Sequence, residues 1–238
     1  MRVKHVPSLV GTPVAVRAGT RTESGDDAVA GGDGETPAAG DDGVGDGDRE
    51  TAADGTLASA APDATADYVA DVQAAVPLVP GTEDDCCARL QRRLGYESRD
   101  VSRTWLTFLR GIDLAVETDE GFRRTRESAD AAGLRERLFG GVLGATELGT
   151  ALAAADESFG VADGFAAVEP LVPRWERTRT DDWETVWRER VTRLFDWFVA
   201  LELAERVGGE GVEGEGTAGY RGTAALDEVL ATADATEE

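Results

Sequence analysis

Lysine is almost absent from this chain of 238 residues: Lys4 is the only one, and arginine supplies the other strongly basic side chains. Cysteine is as scarce, with Cys86 and Cys87 adjacent and no others. Neighbouring helical side chains diverge by about 100°, so a disulfide between them would be strained. The single histidine, His5, is far away in the chain, and no second Cys or His pair offers a zinc-type spacing. Both thiols therefore read as structural, with Cys87 as a small core residue. No apolar run approaches the roughly 20 residues that a membrane-spanning helix needs. The N-terminal MRVKHVPSLVGTPVAV is interrupted by Pro7 and Pro13 and lacks the apolar centre of a leader peptide. A cytoplasmic protein without a membrane partner is expected. Enzymatic signatures are missing too: no Gly-x-Gly-x-x-Gly after a strand, no phosphate-loop lysine, no His-centred triad. GVGDGD near residue 43 is glycine-rich, but its acidic surroundings would repel an anion. The expectation is a non-enzymatic protein with no cofactor and no metal.

What the chain has in excess is acid, for a net charge of −23. Residues 18 to 66 hold twelve Asp or Glu against two Arg and almost no large apolar side chain. Such a stretch cannot bury enough surface to offset its chain entropy. The organisation expected is an N-terminal segment over 1–17 (a short strand or a loose tail), a disordered acidic linker over 18–64, a first module over 65–127, a second over 134–223, and an acidic tail over 224–238. Removing residues 1–60 should then hardly change the melting transition, the N-terminal segment acting at most as a tethered docking peptide. Acid excess with near-absent lysine and abundant Ala, Gly, Val and Asp resembles the proteins of extremely halophilic archaea. In molar salt the Debye length is only about 3 Å, which screens repulsion among the acids and long-range attraction to phosphates alike.

Periodicity places the elements. TADYVADVQAAVPLVP puts Tyr68, Val72, Ala75 and Val76 on one helical face, and Pro77 ends that helix. Thr82 starts a second helix, with Asp84 and Asp85 in its first turn, a stripe of Cys87, Leu90 and Leu94, and Gly95 as its stop. Ser98 caps a third, in which Val101, Trp105, Phe108, Leu109 and Ile112 follow the spacing of a buried face. Leu114-Ala115-Val116 continues as a short strand, Thr118-Asp119-Glu120-Gly121 is a turn signal, and Phe122 begins the return strand. Three helices followed by a hairpin, over roughly 65–126, resemble the winged helix-turn-helix family.

A second copy follows. RDVSRTWLTFLRGIDLAVE (99–117) lies over RERVTRLFDWFVALELAER (188–206) without a gap, and Gly121-Phe122-Arg123 recurs as Gly219-Tyr220-Arg221. Phe108 falls on Trp197, Leu109 on Phe198, Ile112 on Leu201 and Leu114 on Leu203. Chance matching of Leu-Ala-rich helices is the competing explanation. Ahead of it, 134–155 reads as one glycine-weakened helix with Leu134, Leu138, Val142, Ala145, Leu148 and Leu152 on one face. A helix from Val161 faces Phe165 and Val168 inward until Pro170 and Pro173, and Asp181 or Asp182 caps the last long helix. GGEGVEGEGTAG would be a flexible acidic wing tip. The fold class expected is mostly α with short β-hairpins, as two winged-helix-like modules after an acidic N-terminal region.

The binding residues that this resemblance implies are on the third helix and wing of the first module: Arg99, Ser102, Arg103 and Arg110, with Arg123 and Arg124 beside them. In winged-helix DNA binders that helix enters the major groove and the wing touches the backbone. Residues 81 to 126 carry nine Arg and nine acids, the least acidic part of the core. A DNA-binding regulator of transcription or chromatin, acting on double-stranded DNA, is one expectation. The other is that the arginines pair with Glu97, Asp100, Glu117 and Glu120 on a solvated face, and that both modules bind a protein partner. Tandem winged helices are similar to the accessory subunit of prokaryotic condensin, an acidic protein that binds protein, a likeness of fold and charge. The second module favours this alternative, since its wing is acidic. A homodimer is left open. Of Trp175, Trp183, Trp187 and Trp197, most should be core, and an exposed one would point to a protein partner.

Overall fold

Beyond the N-terminal segment, the described residues form two copies of one unit, each with helices leading into a hairpin and a closing helix. The first copy has three helices before its hairpin, and the second has a short additional one ahead of the helix equivalent to that third. The computed structural model describes residues 2–9, 61–179, 181–208 and 219–236. The chain divides into one unit of Met1–Val14 with Gly55–Glu238 and a second of Ala15–Asp54, which lies outside the described residues. So does most of the acidic linker expected over 18–64; its last residues are already the start of α1.

The first copy holds α1 (Pro62–Ala75), α2 (Glu83–Leu94), α3 (Arg99–Gly111), the strands β1 (Ala115–Thr118) and β2 (Gly121–Arg124), and α4 (Ala131–Gly141). Its local signals are the expected ones. Thr82 Oγ accepts from Asp85 N–H at the start of α2, Gly95 ends it at φ 72°, and Ser98 Oγ accepts from Val101 N–H at the start of α3. β1 and β2 pair antiparallel, with Val116 opposite Arg123 and Thr118 opposite Gly121. Gly121 sits at φ 123°, which only glycine adopts without strain.

The second copy holds α5 (Ala145–Ala153), α6 (Val161–Val168), a 3₁₀ turn at Glu169–Leu171, α7 (Arg174–Arg179), α8 (Trp183–Ala200), β3 (Ala204–Val207), β4 (Gly219–Gly222) and α9 (Ala224–Thr236). Asp182 stands at the N-terminus of α8, without a side-chain cap bond. The wing tip expected at 208–219 lies outside the described residues except for its ends.

The repeat holds at the level of single hydrogen bonds. Each third helix ends by the same double bond pattern: Asp113 N–H to Arg110 O and Leu114 N–H to Leu109 O in one copy, Glu202 N–H to Val199 O and Leu203 N–H to Phe198 O in the other. This is a Schellman closure with a left-handed residue after the cap. That residue is Asp113 at φ 60° and Glu202 at φ 54°, the only non-glycine positive-φ residues among those described. The Leu that follows each is buried. Thr125 and Thr223 then tie each return strand back, through N–H to Leu114 O and Leu203 O and through Oγ to Asp113 O and Glu202 O. Ahead of the second helix, Gly81 bridges Phe122 and Phe159 bridges Tyr220. Chance similarity of Leu-Ala-rich helices does not produce this set.

Three expectations need correction. The stretch 134–155 is two helices, α4 and α5, broken at Val142–Gly144. Its glycines mark the boundary between the copies, and α4 closes the first copy as α9 closes the second. Residues 224–236 are helix α9, not an acidic tail: Leu226 and Val229 are buried, and Leu230 packs against the core. Finally, the N-terminal segment is part of the fold. Val3, Val6 and Leu9 are buried; Val3 N–H donates to Gly141 O at 2.8 Å, and Val3 O accepts from Leu143 N–H at 2.9 Å. Lys4 Nζ reaches Glu176 Oε1 at 2.5 Å, and Trp197 Nε1 donates to Pro7 O at 2.9 Å.

α4 lies across the C-terminal ends of both third helices. Arg137 Nη1 donates to Ile112 O at 3.1 Å and Arg135 Nε to Leu201 O at 2.8 Å, at matching repeat positions. A Cβ at Gly141 would fall well inside van der Waals contact with the carbonyl of Gly111. Gly141→Ala should therefore destabilise by a few kcal/mol, since backbone must move. At Gly140, one residue earlier, a Cβ meets nothing within 4 Å. Gly140→Ala should instead stabilise, by up to about 1 kcal/mol. Urea denaturation of the pair reads both signs.

The two copies meet through their third helices. Phe108 and Trp197, equivalent positions in the repeat, contact each other with ring centroids 4.6 Å apart, and Trp105 stands edge-on to Trp197 at 6.0 Å. Both cysteines are buried, as a structural role requires, and burial raises both thiol pKa values.

Candidate nucleic-acid interface

Four of the five arginines expected to meet DNA, Arg99, Arg103, Arg110 and Arg124, are engaged within their own module. Packing of α2 on α3 brings the acidic first turn of α2 beside the first half of α3. Arg99 pairs with Asp84 and approaches Glu83 at 3.6 Å, and Arg103 Nη2 meets Glu83 Oε1 at 2.8 Å. That hydrogen bond is the largest influence raising the Arg103 pKa. Arg110 pairs with Glu117 on β1. Of the carboxylates named from sequence, only Glu117 is a partner; Glu83 and Asp84, in the first turn of α2, take the other arginines.

The buried face of α3 holds Trp105, Phe108, Leu109 and Ile112 as expected, but it is wider than the apolar stripe and loses its first member. Ser102 is fully buried and Val101 is 42% exposed. Ser102, Trp105, Leu106 and Leu109 face the core, and Ser102 Oγ donates to Ser98 O at 3.3 Å, which satisfies its hydroxyl. Ser102 is thus unable to touch a ligand. Arg123 is half-exposed on β2, on the face of the hairpin away from buried Phe122. Arg124 reaches across to α1, where its Nη1 donates to Ala74 O at 3.1 Å. Of the six residues, Arg99, Arg103 and Arg110 are ion-paired along α3, Arg124 turns to α1, and Ser102 is core.

The second copy offers still less. Its third helix carries Arg188–Glu184 and Arg193–Glu189 pairs, and Arg221 pairs with Glu205 across the hairpin. Arg206 meets Asp196 at 2.7 Å; burial raises that carboxyl's pKa against the pull of the arginine. The second half of α8, from Val191 to Ala200, is buried nearly all round. Trp187 and Trp197 are core and Trp183 is half-buried, but Trp175 is 56% exposed, with Lys4 Nζ 5.0 Å from its ring centroid. Sequence reasoning missed α7, which carries this tryptophan. It also missed Arg89 and Arg93, whose donors turn with Arg124 to the end of α1.

Among the described residues no group of His, Cys, Asp and Glu could hold a metal ion, and no helix is long and apolar enough to cross a membrane. No curated protein and no solved structure matches the chain. A family model does, over residues 58–217, from α1 through both third helices to the second wing. Two winged helices joined through Phe108 and Trp197, in an acidic chain with a single lysine, place the protein in the family of the halobacterial double winged helix domain.

Proposed function

We propose that the chain is a non-enzymatic interaction protein whose tandem winged helices bind another protein, and that its third helices do not read DNA. The observation that carries this reading is that Arg99, Arg103 and Arg110 each hold a carboxylate of their own module. To contact phosphate they would have to exchange partners beside the acids at Glu83, Asp84 and Asp100. In the molar salt of a halophile, attraction to phosphate beyond about 3 Å is screened, so no long-range pull would help drive that exchange. The exposed ring of Trp175 adds weight, since tryptophan is enriched at protein interfaces.

A DNA-binding regulator is the rival, and one pair of experiments separates them. Co-purification from extract with and without nuclease is expected to retain a protein partner in both. Mobility-shift titration with duplex DNA, at low and at molar KCl, is expected to show only weak binding that salt abolishes and that Arg99→Ala with Arg103→Ala leaves unchanged. Tight binding lost in that double variant, with a salt slope, would make the protein a DNA-binding regulator.

A further inference from the structure

Several arginines among the described residues have no carboxylate at ion-pair distance, Arg92, Arg123 and Arg126 included, and three of them are gathered at one place. Among the described residues, Arg99, Arg103, Arg110, Arg188, Arg190 and Arg193 are all ion-paired. Arg89, Arg93 and Arg124 are not, and these three converge. Pro77 stops α1 early, so the last carbonyls of α1 lack intrahelical partners. Arg89 Nε donates to Ala75 O at 2.7 Å, Arg93 Nη1 to Ala74 O at 3.3 Å and Arg124 Nη1 to Ala74 O at 3.1 Å. Three guanidinium groups from α2 and β2 are thereby gathered on one helix end. A guanidinium has five N–H donors, and each of these spends one on the helix. Arg93 is exposed and the other two are half-buried.

Beside them runs the loop from Pro77 to Gly81, tied at both ends to β2. Arg124 N–H donates to Pro77 O at 2.9 Å, and Gly81 exchanges two hydrogen bonds with Phe122. Between these ties stand Leu78, 56% exposed, and Val79, 76% exposed. The loop is held, so these aliphatic side chains are presented to solvent next to the arginines.

We propose that Arg89, Arg93 and Arg124, with Leu78 and Val79, form a docking surface for an acidic protein segment that carries aliphatic side chains. This rests on the protein-interaction reading above and names its site and the chemistry of its partner. Carboxylates would take the free guanidinium donors, in the bidentate geometry that arginine favours. Leucine or valine side chains of the segment would cover Leu78 and Val79. Such a segment suits molar salt, because apolar burial is not screened and contact hydrogen bonds are shorter than the Debye length. A phosphate backbone would use the arginines and leave the aliphatic pair uncovered.

The test is fluorescence polarisation of the full chain in molar KCl with three probes: a short labelled peptide of Asp, Glu and Leu, the same peptide with Leu replaced by Gly, and duplex DNA. The Asp-Glu-Leu peptide is expected to bind. Arg93→Glu with Arg124→Glu, and separately Val79→Asp, should each weaken it at least about tenfold, while Arg99→Glu with Arg103→Glu should not. Val79 touches nothing that the fold needs, so Val79→Asp keeps the test valid if the arginine variant melts early. Equal binding of the Gly peptide, preference for DNA, or no binding by the wild type would overturn the proposal. If the variants bind the peptide normally while a nuclease-resistant partner still co-purifies, this surface is wrong and the interaction reading stands. If no partner survives nuclease but the peptide behaves as expected, the surface stands and the broader reading falls.

Discussion

Deleting residues 1–9 is expected to lower the melting temperature by roughly 10–20 °C, the size that follows from losing about 5 kcal/mol in a chain this long. Three side chains carry the figure: Val3, Val6 and Leu9 are each no more than 5% exposed. Burying an aliphatic side chain of that size contributes about 1.5–3 kcal/mol. Their removal also exposes the face of Gly111 against which Val3 packs, where a Cβ would stand 2.5 Å from a Val3 methyl. Thermal denaturation of the truncated chain checks this, and an unchanged midpoint would show that the segment is a bystander. Acid should weaken the same attachment. Burial alone would raise the Glu176 pKa, but hydrogen bonds from Lys4, Trp187 and Arg190 hold it below the ordinary glutamate value. The stability from that carboxylate is therefore present above the ordinary glutamate range and lost as pH falls through the lower folded value. Glu176→Gln should flatten that part of the acid titration.

Trp197→Ala should cost about 3–5 kcal/mol, the range for removing a buried ring, and should unfold both copies together. Its indole meets Phe108 and Trp105 of the first copy and donates to Pro7 O of the N-terminal segment. The residue therefore joins three parts of the molecule, and the cavity that it leaves opens between them. Phe108→Ala should act through the same contact, so the double variant should lose less than the sum of the singles. Far-ultraviolet circular dichroism and tryptophan fluorescence should report one coincident transition in each variant. Two transitions, with one copy surviving the other, would show the modules to be independent.

Most of the architecture was legible because it is written in local chemistry. Thr82, Gly95, Ser98 and Gly121 do what their side chains or their lack of one allow, and the gapless match of 99–117 to 188–206 fixed both helix-to-strand turns. What was missed depends on distant parts of the chain. The N-terminal segment is separated from its site at Gly141 and Leu143 by the acidic linker, and nothing in VKHVPSL indicates where it docks. Helix α9 did leave a signal, Leu226, Val229 and Leu230 at helical spacing, but short and set among acids. The break at Val142–Gly144 looked like weakness in one helix because glycine patterns alike in a poor helix and at a boundary.

The arginine stripe lies on α3 as read, whereas only one of its expected partners, Glu117, is engaged. Spacing along α3 suggested Glu97 and Asp100, neighbours in sequence. The acids that engage Arg99 and Arg103 come from the first turn of α2, brought there by packing. Ser102 was misassigned because the buried face of α3 is wider than its apolar stripe and takes in a small polar residue whose hydroxyl bonds the backbone. The convergence of Arg89, Arg93 and Arg124 on the end of α1 involves three separate elements, and no sequence pattern announces it.

The central claim is that the third helices serve the packing of the two copies and the ion pairs of their own modules, rather than the groove of a nucleic acid. Titration of the isotope-labelled full chain with duplex DNA, followed by backbone amide chemical shifts at low and molar KCl, tests it most directly. The account predicts that the resonances of Arg99–Gly111 and of the hairpin at 115–124 stay in place. Saturable, salt-dependent shifts centred on Arg99, Arg103, Arg110 and Arg123 would contradict it.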